Sequence, residues 1–201
     1  MSQHLARLVV ASSNPGKLAE LGSLLAGLAG EIVPQSALGI APAAETALTF
    51  EDNALLKARH AARLSGSAAL ADDSGLEVDA LGGEPGVHSA RYAGPGASDA
   101  ANNAKLLAAL AGTHAPRRAR YRCVIALVMG ADDPAPRVAT GSWEGRIALA
   151  PRGTGGFGYD PLFLVGEGAL TAAELPPAVK NRISHRALAL RALATGLDRK
   201  W

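Results

Sequence analysis

The sequence is poor in aromatic residues, has almost no cysteine and lacks any long hydrophobic run. Only eight of its 201 residues are aromatic (Trp 2, Tyr 3, Phe 3), so a core must be assembled from many small contacts among Ala, Leu and Val. An aromatic side chain inside a glycine loop therefore stands out. The single cysteine, Cys123, excludes an internal disulfide, and no Cys/His cluster has the spacing of a zinc site. Cys123 lies in the apolar run 121–128, which reads as a buried strand carrying an inert thiol. No segment approaches the roughly 20 apolar residues of a membrane span. The N-terminal stretch also lacks the apolar region and cleavage site of a signal peptide, so a soluble, cytoplasmic protein is expected. An excess of one charge is missing as well: 20 basic and 18 acidic residues leave +2. That gives no case for a nucleic-acid or membrane partner, which concentrated positive charge would attract.

What is present suffices for a fold. Apolar residues make up 48% and charged residues 19%, consistent with one domain over 1–201 and no linker that would divide it. Apolar Leu8-Val9-Val10-Ala11 reads as a strand, and Ser12-Ser13-Asn14-Pro15-Gly16 as a turn. Leu18, Leu21, Leu25 and Leu28 then form one stripe of a helix that Gly30 can end, ahead of a strand at 31–33. Thr49 with Asp52 resembles a capping box for a helix carrying Ala54, Leu55, Ala58, Ala61, Ala62 and Leu64. Short strands are expected at 68–71 and 75–81, on either side of Asp72-Asp73-Ser74-Gly75. Ser98 suits the N-cap of a helix through Leu110. Strands follow at 119–129, 137–143 and 159–165, then a closing helix from Ser184 to Thr195 stopped by Gly196. Alternating helices and strands, some strands adjacent, imply an α/β fold with a mixed sheet.

Four stretches carry chemistry, each with a plainer reading beside it. The turn Ser12-Ser13-Asn14-Pro15-Gly16-Lys17 opens a helix whose free amides suit an anion, and Lys17 at that positive end wants one. It also reads as an ordinary turn with a surface lysine, and it lacks Walker A spacing. The adjacent carboxylates Asp72 and Asp73 would repel if buried without a cation, which suggests Mg²⁺ and phosphate at a strand end, or else a solvated acidic turn. The loop 153–158 matches G-x-G-x-x-G, but Pro161 and β-type residues follow it where a dinucleotide fingerprint needs a helix. Phe157 or Tyr159 there offers a stacking face for a flat ligand, unless the loop is a structural hairpin. Lys180, Arg182, His185 and Arg186 cluster at a helix start, where cations are unfavourable unless an anion or an acceptor-rich base edge meets them. A surface basic cluster is the alternative.

Taken together, these stretches are similar to those of the inosine triphosphate pyrophosphatase family. The matching residues are Ser12-x-Asn14-x-x-Lys17, Glu45-Thr46 ahead of Phe50-x-x-Asn53-Ala54-x-x-Lys57-Ala58, and Ala71-Asp72-Asp73-Ser74-Gly75-Leu76. They continue with Leu81-Gly82-Gly83-x-Pro85-Gly86, Ser89-Ala90-Arg91-Tyr92, Gly153-x-Gly155-Gly156-Phe157-Gly158-Tyr159-Asp160-Pro161 and Lys180-Asn181-x-x-Ser184-His185-Arg186. The resemblance implies a two-lobed α/β fold around a long mixed sheet flanked by helices, with the active site in the cleft between lobes. It implies Mg²⁺-dependent hydrolysis of ITP, dITP and XTP to the monophosphate and pyrophosphate, by a homodimer. Carried over residue by residue, Ser12, Ser13, Asn14, Pro15, Gly16 and Lys17 would hold the triphosphate. Glu45 and Asp73 would serve the metal, with Asp73 as proton acceptor and Asp72 helping either task. Ser74 would touch substrate, while Phe157, Gly158, Tyr159, Asp160, Lys180, His185 and Arg186 would enclose and read the base. Ser13 replaces the commoner glycine, and Ala44 leaves Glu45 as the sole acid in its segment. A Maf-like pyrophosphatase with another base preference and a non-catalytic nucleotide-binding module are the alternatives.

Overall fold

The computed structural model describes residues 5–25, 29–114 and 116–198. Six strands form one sheet: β1 (Leu5–Val10), β2 (Ala29–Pro34), β3 (Ala68–Val78), β4 (Arg118–Val128), β5 (Arg137–Ile147) and β6 (Phe163–Val165), in the order β2-β1-β3-β4-β5-β6. β1 pairs in parallel with β2, Leu8 opposite Ile32, and with β3, Val9 opposite Ala69. β5 and β6 are antiparallel, Arg146 opposite Leu164. The sheet is therefore mixed, as expected. Among the described residues, five α-helices accompany it: α1 (Pro15–Leu24), α2 (Phe50–Ser65), α3 (Asp99–Ala109), α4 (Pro177–Ile183) and α5 (His185–Asp198).

The chain forms two compact units, one of residues up to 73, 123–141 and 186 onward, the other of 74–122 and 142–185. The first has an aliphatic core of Leu8, Val10, Leu21, Leu70, Ile125, Leu127 and Leu193, with Cys123 fully buried among them. Burial pushes the Cys123 thiol up, which agrees with an inert group. The second unit holds most of the scarce aromatics: Tyr121, Trp143, Tyr159 and Phe163 pack with Leu76, Leu106, Leu110 and Leu162.

Local signals set several ends. The Thr49 side chain accepts the Asp52 N–H at the start of α2, and left-handed Gly66 closes that helix. Ser98 likewise accepts from the Ala101 N–H at the start of α3. Other expectations need correction. The stretch 68–78 is a single strand of 11 residues, so Asp72-Asp73-Ser74-Gly75 lies within β3 and closes no turn. Cations from distant parts of the chain neutralise the two acids there and remove the reason for a solvated turn. α1 ends at Leu24 and Gly30 belongs to β2; Leu28 lies outside the described residues. Only Phe163–Val165 of the expected strand 159–165 is extended, because Tyr159 O accepts the Leu162 and Phe163 N–H groups at 2.9 and 3.1 Å and folds 159–162 into a turn. α4, which opens on Pro177, is missing from the sequence reading, and α5 continues through Gly196.

Gly145 of β5 shows how closely the second unit is packed. A Cβ there would fall 2.2 Å from the Leu164 carbonyl oxygen and 2.6 Å from the Phe163 ring. Gly145→Ala is expected to lower the unfolding free energy by about 1–3 kcal/mol, read from urea denaturation.

Candidate active site

In the first unit, the turn between β1 and α1 is built by its own side chains. Asn14 caps α1 by accepting the Lys17 N–H at 3.0 Å, and its own N–H donates to Ser12 Oγ at 3.2 Å. Ser12 is buried, whereas Ser13, Asn14 and Pro15 are exposed and Gly16 is half-buried. The Lys17 ammonium, which the sequence left wanting an anion, lies 3.0 Å from Asp72 Oδ1.

Alternation along β3 sends consecutive side chains to opposite faces, and the two aspartates meet different partners. Asp72 is 1% exposed. Its Oδ2 accepts from Arg186 Nε and Nη2 at 3.1 and 2.9 Å, and the same guanidinium donates to Glu20 of α1. Burial alone would raise the Asp72 carboxyl, but Arg186, Lys17 and Lys57 outweigh it and hold the group well below the usual carboxylate range. Asp73 instead faces α2. Asn53 Nδ2 donates to its Oδ2 at 3.2 Å, and Lys57 Nζ lies 2.7 Å from its Oδ1. Here burial outweighs Lys57 and Lys17, so the Asp73 carboxyl is pushed above its ordinary value.

Lys57 is shared. Its ammonium lies 2.7 Å from Glu45 Oε1 as well, and the pull of Asp73, Asp72 and Glu45 overcomes its burial and raises its pKa. Asn53, fully buried, also exchanges hydrogen bonds with both backbone groups of Ala47, at 3.0 and 3.3 Å. α2 thereby fixes the Glu45 segment beside Asp73. Among the described residues no three His, Cys, Asp or Glu side chains form a metal cluster. Two hard carboxylates gathered around one positive charge do fit Mg²⁺, which takes one or two carboxylates and completes its shell with water and phosphate.

In the second unit, the glycine loop turns on Asp160. This carboxylate is 2% exposed, accepts the Phe157 N–H at 2.9 Å and the Tyr121 hydroxyl at 3.3 Å, and is paired with the buried Lys180 ammonium. A Cβ on Gly156 would lie 1.9 Å from Asp160 Oδ2, so glycine is required for that approach. Lys180 Nζ stands 4.9 Å from the Phe157 ring centroid, a cation–π distance. Tyr159 is 4% exposed and donates its hydroxyl to Ser89 O at 2.8 Å. It anchors the loop, whereas Phe157 is half-buried. His185 is also buried and stacks on Tyr121 at 4.7 Å and 12°. Ser74 follows Asp73 on β3 and is half-buried. The predicted residues thus gather in two sets, Lys17, Glu45, Asp72, Asp73 and Arg186 in the first unit, and Phe157, Gly158, Tyr159, Asp160, Lys180 and His185 in the second.

The model of the Ham1 family matches residues 8–196. The chain belongs to this family. Similar proteins named dITP/XTP pyrophosphatase include one from Methylococcus capsulatus, 61% identical over 95% of this chain and 96% of its own, and one from Thioalkalivibrio sulfidiphilus, 56% identical over 96% and 98%. Among solved structures, the HAM1 protein of Coxiella burnetii superposes with a TM-score of 0.87 at 49% identity, and the Staphylococcus aureus Ham1 protein with 0.83 at 41%. Each alignment covers 97% of this chain and 100% of the other. The family and fold that the motifs suggested are borne out.

Sequence reading of this Ham1-family chain gave no role to Asn53, Lys57, Glu20 or Tyr121. Asn53 and Lys57 were legible as an i, i+4 pair beside the buried Ala54 and Ala58. Glu20 was not, since its partner Arg186 is 166 residues away. The basic start of α5 calls, by local rules, for an anion or an acceptor-rich base edge, or else for a surface cluster; Arg186, 1% exposed, is buried and finds counter-charges inside the protein. Arg186→Met would strand Asp72 without its main buried partner. The variant is expected to lose about 3–5 kcal/mol of stability, measured by chemical denaturation without nucleotide.

Proposed function

We propose that this chain hydrolyses ITP, dITP and XTP to the nucleoside monophosphate and pyrophosphate, in the cytoplasm, as a homodimer that uses Mg²⁺. The observation carrying this reading is the buried Asp73 carboxylate, held by Asn53 and Lys57 beside Glu45, in a chain 61% identical to a dITP/XTP pyrophosphatase. The named function of that relative and the ordered motifs support the same substrate class. No helix among the described residues is long and apolar enough to cross a membrane.

Hydrolysis at the α-phosphorus needs a water positioned and deprotonated, and negative charge neutralised on the phosphates. Asp73 takes the proton as the water oxygen bonds to phosphorus. The bond from phosphorus to the bridging oxygen breaks, and the electron pair leaves with pyrophosphate. Asp72 is occupied by Lys17 and Arg186, which favours Asp73 over Asp72 as the acceptor. Glu45 and Asp73 would hold Mg²⁺, which supplies Lewis-acid charge stabilisation when bound. Ser12 through Lys17, at the N-terminal end of α1, hold phosphate oxygens. Arg186 serves by keeping Asp72 ionised and in place. Ser74 touches substrate, and Phe157, Gly158, Tyr159, Asp160, Lys180 and His185 frame the base. Donors aimed at a 6-oxo group are left unpaired by the 6-amino group of adenine, which rejects ATP.

The decisive assay follows products from ITP, XTP, ATP and GTP with Mg²⁺. IMP and pyrophosphate are expected from ITP, with ATP and GTP slower by on the order of 10²-fold or more. Equal turnover of all four, or orthophosphate as first product, overturns the reading. Asp73→Asn should abolish turnover with the fold intact by circular dichroism, and EDTA should do so reversibly.

A further inference from the structure

The glycine loop is gripped from outside by two residues one turn apart at the start of α3. Asp99 Oδ2 accepts the Gly158 N–H at 2.6 Å, and Asn103 Nδ2 donates to the Gly158 carbonyl at 2.8 Å. These two backbone groups belong to the successive peptide planes that join Gly158 to Phe157 and to Tyr159. We propose that Asp99 and Asn103 are positioning residues for base recognition, acting through Gly158 on the ring of Phe157. The inference rests on the reading of this loop as part of the base site.

Three observations separate this role from ordinary helix capping. The N-cap of α3 is already Ser98, whose hydroxyl accepts the Ala101 N–H at 3.2 Å, so Asp99 is not needed for that task. The orientation of the Asn103 amide is fixed, since its NH₂ group donates to Asp99 O at 2.8 Å as well as to Gly158 O. That orientation leaves Asn103 Oδ1 buried without a hydrogen-bond partner. An unsatisfied buried acceptor costs stability; leucine would fill the same place without it, so the amide is explained by the bond it donates to the loop. Finally, Gly158 has φ +63° and open space where a Cβ would be. Its backbone conformation comes with no side chain to pack, and the hydrogen bonds from α3 supply the stiffness.

The consequence for kinetics is specific. If Gly158 is released, Phe157 spreads over several positions, and only a fraction of molecules present a base site competent to bind. Apparent affinity falls by that fraction, while the reacting phosphate, held by other residues, is unaffected. Asp99→Ala should therefore raise KM for ITP about tenfold, the loss of one charge-assisted hydrogen bond, with kcat changed by less than about twofold. Asp99→Asn keeps an acceptor and should restore most of the affinity. Ser98→Ala serves as the structural control: it should lower Tm and leave KM alone. An unchanged KM in Asp99→Ala, a loss confined to kcat, or an equal rise of KM in Ser98→Ala overturns the proposal. Amide hydrogen exchange at Gly158, measured without nucleotide, should be faster in Asp99→Ala, and unchanged exchange also overturns it. A wild-type protein inactive on ITP would instead count against the proposed function, and the exchange measurement would then decide the clamp by itself.

Discussion

Two neighbouring carboxylates inside a sheet are the constraint on which much of this molecule turns. A buried strand tolerates Asp72 and Asp73 side by side because its alternation separates them, giving each its own cation. Asp72 meets Lys17 and Arg186, while Asp73 meets Lys57. The turn after β1, the middle of α2 and the start of α5 must all reach β3 for this to work. The fold can be seen as the arrangement that delivers three positive charges from distant stretches of chain to two adjacent residues.

The same arrangement divides the labour of the two acids. One is surrounded by cations and kept ionised. The other faces fewer, and there burial is not outweighed. Environments that push two like groups in opposite directions let neighbouring carboxylates differ in how readily they take up a proton. Glu20 extends the first group by neutralising the far side of Arg186. Asn53 extends the second by linking Asp73 to the segment that carries Glu45.

Much of this was readable in the chain itself. The Thr49 and Ser98 caps, the α/β alternation and the glycine loop without a following helix all depend on residues a few positions apart, and they appear where the sequence puts them. The continuity of β3 was hidden because Asp-Asp-Ser-Gly has local turn character, and the cations that overrule it come from the other ends of the protein. The roles of Tyr159 and Arg186 were obscured for a related reason. A phenol in a glycine loop and an arginine at a helix start both look exposed by local rules, yet Ser89 and Glu20 receive them in the interior. Sequence showed which residues mattered more readily than which way they faced.

The alanine-rich face of α2 has a geometric meaning beyond filling space. Ala54, Ala58 and Ala61 are fully buried where α2 packs on β1, and a methyl group is the thinnest spacer a chiral side chain can offer. Asn53 is a short side chain, and it touches Asp73 from a helical backbone only if helix and sheet are nearly in contact. The small residues therefore act as a gauge, setting the standoff at which a two-carbon amide and a four-carbon amine arrive at the same carboxylate. Bulkier core residues would make a thicker layer, and Asp73 would lose its neighbours without any change to the residues that touch it.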